Sequence, residues 1–216
     1  MTCFRWTPRA AAVGCALAAL CAAAQAGRPL LVDDANVNEV GAGHVEAWHE
    51  RMPGGATAWT VAPAYAPWKA VELSVAHARS ASWQRDVRRL QAKIQLAEPR
   101  DGGCHPAIAF GAFEGDDPTT RFAIGIVTCD IASGALHLNI GGSRESGGTT
   151  VPTYGAAWEQ PVGPLVGHVE WLGQRHAPAT IAIGLRRDVV KHLQLDASVA
   201  RNAGQTLFSV GFKSQF

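Results

Sequence analysis

The chain ends on the stretch Phe208-Ser209-Val210-Gly211-Phe212-Lys213-Ser214-Gln215-Phe216, in which apolar and polar residues alternate. The large apolar residues share one parity: Phe208, Val210, Phe212 and Phe216. Because successive side chains of a strand point to opposite faces, this period of two predicts a strand that separates two different environments. The same alternation recurs upstream, so this stretch decides the fold class.

A terminal aromatic residue that follows alternate hydrophobic residues resembles the assembly signal of bacterial outer-membrane β-barrels. We therefore expect Phe216, Phe212 and Val210 to form that signal, with the barrel-assembly machinery as a partner and bacterial outer-membrane lipid as the surroundings. Localisation in the outer membrane follows from this resemblance.

The N-terminus agrees with export. Arg5 and Arg9 precede an alanine-rich run, Ala10 to Ala24, and the small residues of Ala24-Gln25-Ala26 are what a signal peptidase requires. We predict that residues 1–26 are a signal peptide. The apolar run is too short to span a bilayer, since a spanning helix needs about 20 apolar residues.

Charge composition excludes one class of partner. Of the 19 basic residues, two lie in the leader, which leaves 17 against 18 acidic residues. The sequence has no basic tract, so nucleic acid is not an expected partner. After the leader, no apolar stretch has the length that a helical membrane protein needs.

Glycine, proline and aspartate clusters divide residues 44–216 into strands near the length that a tilted strand needs to cross a bilayer. The predicted strands are His44–Arg51, Ala56–Ala64, Lys69–Ala78, Arg88–Ala97, His105–Glu114, Thr120–Cys129, Gly134–Gly142, Thr153–Gln160, Leu165–Leu172, Ala179–Arg186, Val190–Ala200 and Gln205–Phe216. The predicted fold class is all-β: a closed antiparallel transmembrane barrel of about twelve strands, with both termini in the periplasm. Ten strands remain an alternative because the second segment is weak.

Parity assigns the two faces of each predicted strand. The apolar face includes Leu73 and Val75, Leu90 and Ile94, Phe122, Ile124 and Ile126, Leu138 and Ile140, and Ile181 and Ile183. The opposite, polar face predicts a lumen lined by Arg89, Lys93, Arg186, Glu170, Asp196, His168 and His192, with Arg121 and Glu159 among its other charges. A soluble sandwich would show the same alternation with its apolar side inward.

Aromatic residues near strand ends favour the membrane interpretation, because amphipathic rings lie at the level of lipid headgroups. The predicted belt comprises Trp48, Trp59, Trp68, Trp83, Trp158, Trp171, Tyr65 and Tyr154. Connections on the periplasmic side should be short, whereas Ser143 to Pro152 is predicted as the longest outward loop.

Cys104 and Cys129 are the cysteines that remain after cleavage, and they bracket one predicted hairpin. In an oxidising compartment we expect a disulfide between them. The eight histidines lie on separate strands or on opposite faces, which favours charge pairs in the lumen over a metal site. The sequence predicts no catalytic residues, no metal and no cofactor.

The lumen of such a barrel is narrow, and its charges either pair and close it or leave a hydrated path. Residues 27–43 precede the first strand, and we expect them to hang in the periplasm or to fold back as a plug. The sequence leaves open the solute, the open or closed state of the lumen, the strand number and the oligomeric state.

Several short motifs carry a family resemblance: Arg28-Pro29-Leu30 followed by Asp33-Asp34-Ala35, the glycine-led first strand Gly43 to Trp48, Tyr154 to Glu159, the Pro161 to Pro164 turn, Gly184-Leu185-Arg186 and the terminal Phe216. In these the chain resembles outer-membrane barrels grouped under the meta-pathway of phenol degradation. The resemblance implies a transporter for hydrophobic or aromatic compounds and no catalytic residues. We expect a passive, channel-like protein for small molecules that is not an enzyme. The alternatives are an outer-membrane lipid hydrolase or acyltransferase, and a structural barrel with a plugged lumen.

Overall fold

The computed structural model describes residue 28 and residues 30–80, 85–115 and 118–216. The predicted signal peptide, residues 1–26, lies outside the described residues. The strands are β1 Gly43–Arg51, β2 Thr57–Trp68, β3 Val71–Ser80, β4 Arg85–Gln95, β5 Cys104–Gly115, β6 Thr120–Ile131, β7 Gly134–Glu145, β8 Thr150–Val162, β9 Leu165–Gln174, β10 Thr180–Val190, β11 Leu193–Asn202 and β12 Gln205–Gln215. A short 3-10 helix, Pro53–Gly55, follows β1. Within these ranges no helix has the length and apolar character that a membrane crossing requires.

The twelve strands form one closed antiparallel barrel, in which each strand pairs with the next and β12 pairs with β1. The seam between β1 and β12 ends on Gly43 and Phe216, whose backbone groups exchange two hydrogen bonds of 2.9 Å. Because of this closure, none of the twelve described strands is an open edge of the sheet. The predicted fold class is confirmed.

All twelve predicted strands occur, with differences in their bounds. The weak second segment is a longer strand than predicted, since β2 continues to Trp68. Its pairing with β3 shifts register between Tyr65 and Trp68, next to Pro67. Proline cannot donate to the ladder, which explains why the pattern of this strand is weak in the sequence.

The outer surface of the barrel is apolar. Large hydrophobic side chains from β2 to β12 are exposed there, among them Leu73, Leu90, Ile140, Ile181, Leu195 and Phe208. The predicted assembly-signal residues Val210, Phe212 and Phe216 lie on this surface, and Phe216 is 68% exposed. In a soluble sandwich such residues would meet one another in a core. Here they face outward, as the hydrocarbon region of a bilayer requires.

The assignment of faces was wrong for β6. Phe122, Ile124 and Ile126 were predicted to face lipid, but they are buried on the inside, and Arg121 is exposed on the outside. The reason is a local apolar partner within the lumen, because these side chains pack with Phe113 of β5. The other members of this cluster are Ala35, Ala107 and Ala109.

The aromatic belt is correct for some of its predicted members. Trp59 and Trp68 are each 63% exposed on the outer surface, and Tyr154 stacks on Trp171 with ring centroids 5.1 Å apart. Trp48 is a correction, since it is buried inside the barrel, where the Arg28 guanidinium lies 5.3 Å from its ring. Trp83 lies outside the described residues.

Connections at the end that carries Gly43 and Phe216, which we call the terminal end, are mostly two residues long: 69–70, 132–133, 163–164 and 191–192. The exception there is the connection 96–103. The prediction of a long loop from Ser143 to Pro152 is wrong. β7 continues to Glu145 and β8 begins at Thr150, so the loop between them comprises only residues 146–149. His192 was placed on a strand, but it lies in the turn 191–192 with a positive φ of 67°.

Cys104 and Cys129 are direct partners in the β5–β6 register and form the predicted disulfide. They close a loop with a sequence separation of 25 residues. We expect the Cys104→Ser, Cys129→Ser double variant to lose about 2–3 kcal/mol of the free energy of unfolding, because a crosslink over such a loop restricts the unfolded chain. Urea unfolding in detergent micelles measures this loss. Wild-type protein unfolded in the presence of reductant is the control and should match the variant; an unchanged midpoint in both would contradict the prediction.

Deletion of Phe216 removes the last pair of hydrogen bonds at the β1–β12 seam. We expect the fraction of chains that migrate as heat-modifiable, folded barrel in gels of isolated membranes to fall several-fold, since the seam then closes with an incomplete rung. Gln215→Ala keeps the backbone pairing and serves as the matched control. Equal folded fractions for both variants would show that Phe216 has no role in closure or assembly.

Candidate functional site in the barrel lumen

The chain before β1 runs inside the barrel. We call Arg28 and residues 30–42 the N-terminal strap. Its backbone N–H groups donate hydrogen bonds of 2.5 to 3.0 Å to lumen side chains, in the order in which the strands follow one another around the wall. From Asn38 back to Arg28, the acceptors are Glu72 on β3, Thr128 on β6, Asn139 on β7, Glu170 on β9 and Glu46 on β1.

These bonds replace water as the partner of an irregular backbone. A buried N–H group without an acceptor is costly, and a strap that cannot pair as a strand must find its acceptors in side chains. Glu170 illustrates this: its Oε2 atom accepts from both Leu31 and Val32, at 2.5 and 2.8 Å. A polar lumen is thus a structural requirement of the strap.

Two glycines make room for the strap. A Cβ atom at Gly155 would lie 2.9 Å from Cγ2 of Val32, and one at Gly211 would lie 2.9 Å from Nη2 of Arg28. Val32 itself is fully buried, as is Asp33. The wall therefore lacks a side chain at these two points, where the strap passes close to its backbone.

Two buried ion pairs fix the strap to opposite parts of the wall. Arg28 pairs with Asp196 on β11 and also donates to Oγ of Ser209 at 2.9 Å. Asp33 accepts from Nζ of Lys93 on β4 at 2.9 Å. Removing one member of such a pair typically costs about 3–5 kcal/mol, because the other charge remains buried.

A second polar network joins the wall strands to one another. Arg186 donates to both carboxylate oxygens of Glu159, at 3.0 and 3.2 Å, in a fork-shaped contact. His137 lies 3.4 Å from the same carboxylate and 2.9 Å from Oγ1 of Thr128. Because Thr128 also accepts from the strap, this network is continuous with the strap contacts.

A cavity of about 680 Å³ lies between the strap and the wall and reaches the terminal end. Of the predicted lumen residues, Arg89, Lys93, Arg186 and His192 line it. The others are buried against the strap or beside it: Asp196 holds Arg28, Glu170 holds the strap backbone, and His168 lies 3.4 Å from Glu170. Acidic residues on the cavity wall include Glu46, Glu72 and Glu159, so both signs of charge face this space.

The sequence analysis missed the residues that receive the strap. Asn139, Thr128 and Glu46 are polar inward residues, but nothing in their spacing indicates a partner segment. In the strap itself, the polar run Asp33, Asp34, Asn36 and Asn38 is the one available signal. In the described ranges, no group of three or more His, Cys, Asp and Glu residues could hold a metal ion.

The closed barrel, its apolar exterior and its polar, strap-filled lumen define an outer-membrane-type β-barrel. The model of the family described as "Uncharacterised conserved protein UCP029691" matches residues 15–206, and the chain belongs to this family. A search of functionally curated proteins finds no match.

Solved structures share the fold at low sequence identity. The KdgM porin has a TM-score of 0.71 and 11% identity, over 80% of this chain and 99% of the porin; a second structure of it is in complex with disordered oligogalacturonate. The NanC porin has a TM-score of 0.65 and 6% identity, over 79% of this chain and 98% of the porin. The COG4313 outer membrane channel from Pseudomonas putida F1 has a TM-score of 0.61 and 10% identity, over 85% of this chain and 98% of the channel. These likenesses show the fold that the chain has in common with outer-membrane channels.

Replacing Glu170 by alanine leaves the buried amides of Leu31 and Val32 without an acceptor. We expect hydrogen exchange of peptides covering 30–35 to accelerate by roughly tenfold or more, because each unpaired buried donor costs about 1–3 kcal/mol. Exchange in the β-strands should not change. The exposed loop variant Glu98→Ala is the control, and protection of 30–35 that is equal in both variants would contradict the role of Glu170.

Proposed function

We propose that the protein is an outer-membrane channel for small solutes whose lumen is narrowed by the N-terminal strap. The observation that carries the proposal is the cavity of about 680 Å³ inside a closed barrel, lined by charges of both signs. A lumen of this kind keeps water and polar solutes inside while the apolar exterior faces lipid. The fold shared with porins supports the same assignment.

The proposed route to the membrane begins with signal-peptide cleavage after residue 26. The barrel-assembly machinery then reads the terminal strand, where Val210, Phe212 and Phe216 lie on the lipid-facing side. The short turns of the terminal end are those expected on the periplasmic side. The proposed division is a segment of residues 27–43, whose described part, the N-terminal strap, folds back into the barrel as a plug, and the barrel of residues 44–216.

The solute class is proposed from the two kinds of inner wall. The cavity is lined mainly by polar and charged side chains, and a smaller apolar part of its wall comprises Leu30, Val37, Ala62, Ala64 and Val190. A small molecule with a polar group and an apolar or aromatic body would suit both, which supports the phenol-degradation type of transporter. A sugar acid of the oligogalacturonate class, seen with the KdgM porin, would use the polar wall alone. Neither use requires a catalytic residue or a cofactor.

A second candidate is a structural barrel closed by the strap. The strap contacts favour it, since Arg28 and Asp33 are both held by buried ion pairs. In this case the cavity would be a pocket at the terminal end and not part of a continuous path.

Planar-bilayer recording separates the two candidates. We expect the mature chain to conduct weakly, and Asp196→Asn to increase the open-state current or open probability several-fold because Arg28 loses its buried partner. The matched control is Asp86→Asn, which removes an acidic charge from an exposed position of β4. Heat-modifiable migration verifies that each variant folds.

The outcomes are distinct. A wild-type barrel that is closed while Asp196→Asn conducts would favour the structural, strap-closed barrel with an inducible opening. Absence of current in both, and in a variant that lacks residues 27–40, would refute the channel. Current that is equal in wild type and in all variants would mean that the strap does not narrow the lumen.

A further inference from the structure

Arg89 differs from the other basic side chains of the lumen. It lies on β4, lines the cavity and is only 6% exposed. Its Nε and Nη1 atoms are enclosed by protein yet have no hydrogen-bond partner, and no carboxylate of the described residues lies within 4 Å of its nitrogens. Buried polar groups normally have hydrogen-bond partners, and a buried charge without a partner is costly. The N–H groups of Arg89 therefore lack an acceptor that such a group normally has.

The other inward basic residues that are at least half-buried have acidic partners, whereas Lys191, which also lines the cavity, is exposed in a turn. Arg28 pairs with Asp196, Lys93 with Asp33, Arg186 with Glu159 and Lys213 with Glu46. β4 therefore carries two inward cations. Lys93 is paired, and Arg89, four residues earlier on the same face, is not.

The neighbours of Arg89 explain why it stays unpaired. Its cross-strand partners are Ala76 on β3 and Phe113 on β5, and neither side chain can accept a hydrogen bond. Acidic residues elsewhere in the lumen are engaged: Glu72 accepts from the amide of Asn38, and Glu46 from that of Arg28. Asp33, Glu46 and Glu72 contribute negative charge to the surroundings of Arg89, but each bonds another group, and none makes a direct hydrogen bond or ion pair with the guanidinium.

Gln91, the next inward residue on β4, has a similar deficit. Its Oε1 atom is buried without a partner, and Gln91 also lines the cavity. Ser74, opposite Gln91 on β3, adds a hydroxyl group to the same wall. Arg89, Gln91 and Ser74 thus border a cavity of about 680 Å³, which is the size of a small-molecule pocket, and two nitrogens of Arg89 are buried beside it without a hydrogen-bond partner.

We propose that Arg89 is the anchor of a binding site for small organic carboxylates, and that Gln91 and Ser74 bond polar groups of the same molecule. A guanidinium presents paired N–H donors that match the two oxygens of a carboxylate. The inference deepens the proposed channel function by naming the chemistry of the solute. It does not depend on conduction, because a solute can bind at the terminal end of a closed barrel.

The test uses the refolded mature protein in detergent micelles and D-gluconate as the probe. Titration by saturation-transfer NMR gives its dissociation constant, and D-glucitol, a polyol of the same carbon number without the carboxylate, gives the neutral reference. We expect gluconate to bind more tightly than glucitol, and Arg89→Gln to weaken gluconate binding by at least about tenfold, since hydrogen bonds between charged groups are strong. Arg89→Lys keeps the positive charge but loses the paired N–H donors of the guanidinium, so we expect a smaller loss of gluconate affinity for this variant.

The matched control is Arg88→Gln, which removes the same charge from the adjacent, outward position of β4. It should leave binding unchanged. Gluconate affinity that is equal in wild type and Arg89→Gln, or no preference for gluconate over glucitol in wild type, overturns the proposal. Heat-modifiable migration checks folding, and Arg89→Lys carries the comparison if Arg89→Gln does not fold.

Results for the site and for the channel are separable. Arg89-dependent gluconate binding by a barrel that passes no current would refute the channel and keep the site. Current through a barrel whose gluconate binding does not depend on Arg89 would refute the site and keep the channel.

Discussion

Pairing of buried charge in the lumen is the constraint on which the rest of this structure depends. Twelve strands enclose a space too narrow for every inward charge to keep its full hydration, so each needs a partner from the protein or from a solute. The strap supplies several partners at once, through Arg28 to Asp196 and Asp33 to Lys93. In return, the lumen side chains supply acceptors for the strap backbone. Neither the strap nor the charged wall would be stable in this arrangement alone.

The parts of the fold that the sequence predicts are those governed by the bilayer. Lipid is apolar along the whole outer surface, so the outward residues must be apolar on strand after strand, and the period of two survives in β3, β7 and β10. The terminal strand β12, which forms the seam with β1, is predictable for the same reason: it must present apolar residues to lipid up to Phe216. The Cys104–Cys129 disulfide followed from the hairpin that its residues bracket.

The interior is less predictable because it has no uniform solvent. Phe122, Ile124 and Ile126 face inward since Ala35 and the β5 side chains offer them an apolar partner, and parity alone places them in lipid. Trp48 turns inward beside Arg28 for a similar reason. These contacts join residues far apart in the chain, so no local pattern contains them. The predicted lumen residues are divided by the same effect: the strap covers Glu170 and Asp196, while Arg89 and Lys93 line the cavity.

The strap divides the lumen into two unequal sides. On β5, β6, β8 and β9 it packs closely, with Ala35 in one apolar cluster and Leu30 and Val32 in another. The cavity lies mainly against the strands on both sides of the seam, β10 to β12 and β1 to β4, and also contacts His137 on β7 and Glu159 on β8. Removing the strap would leave both Asp196 and Lys93 without their partners, at roughly 3–5 kcal/mol for each broken pair. Arg28 and Lys93, one member of each pair, both line the cavity, so a solute in this space lies beside the two pairs that hold the strap, and Arg89 borders the same space.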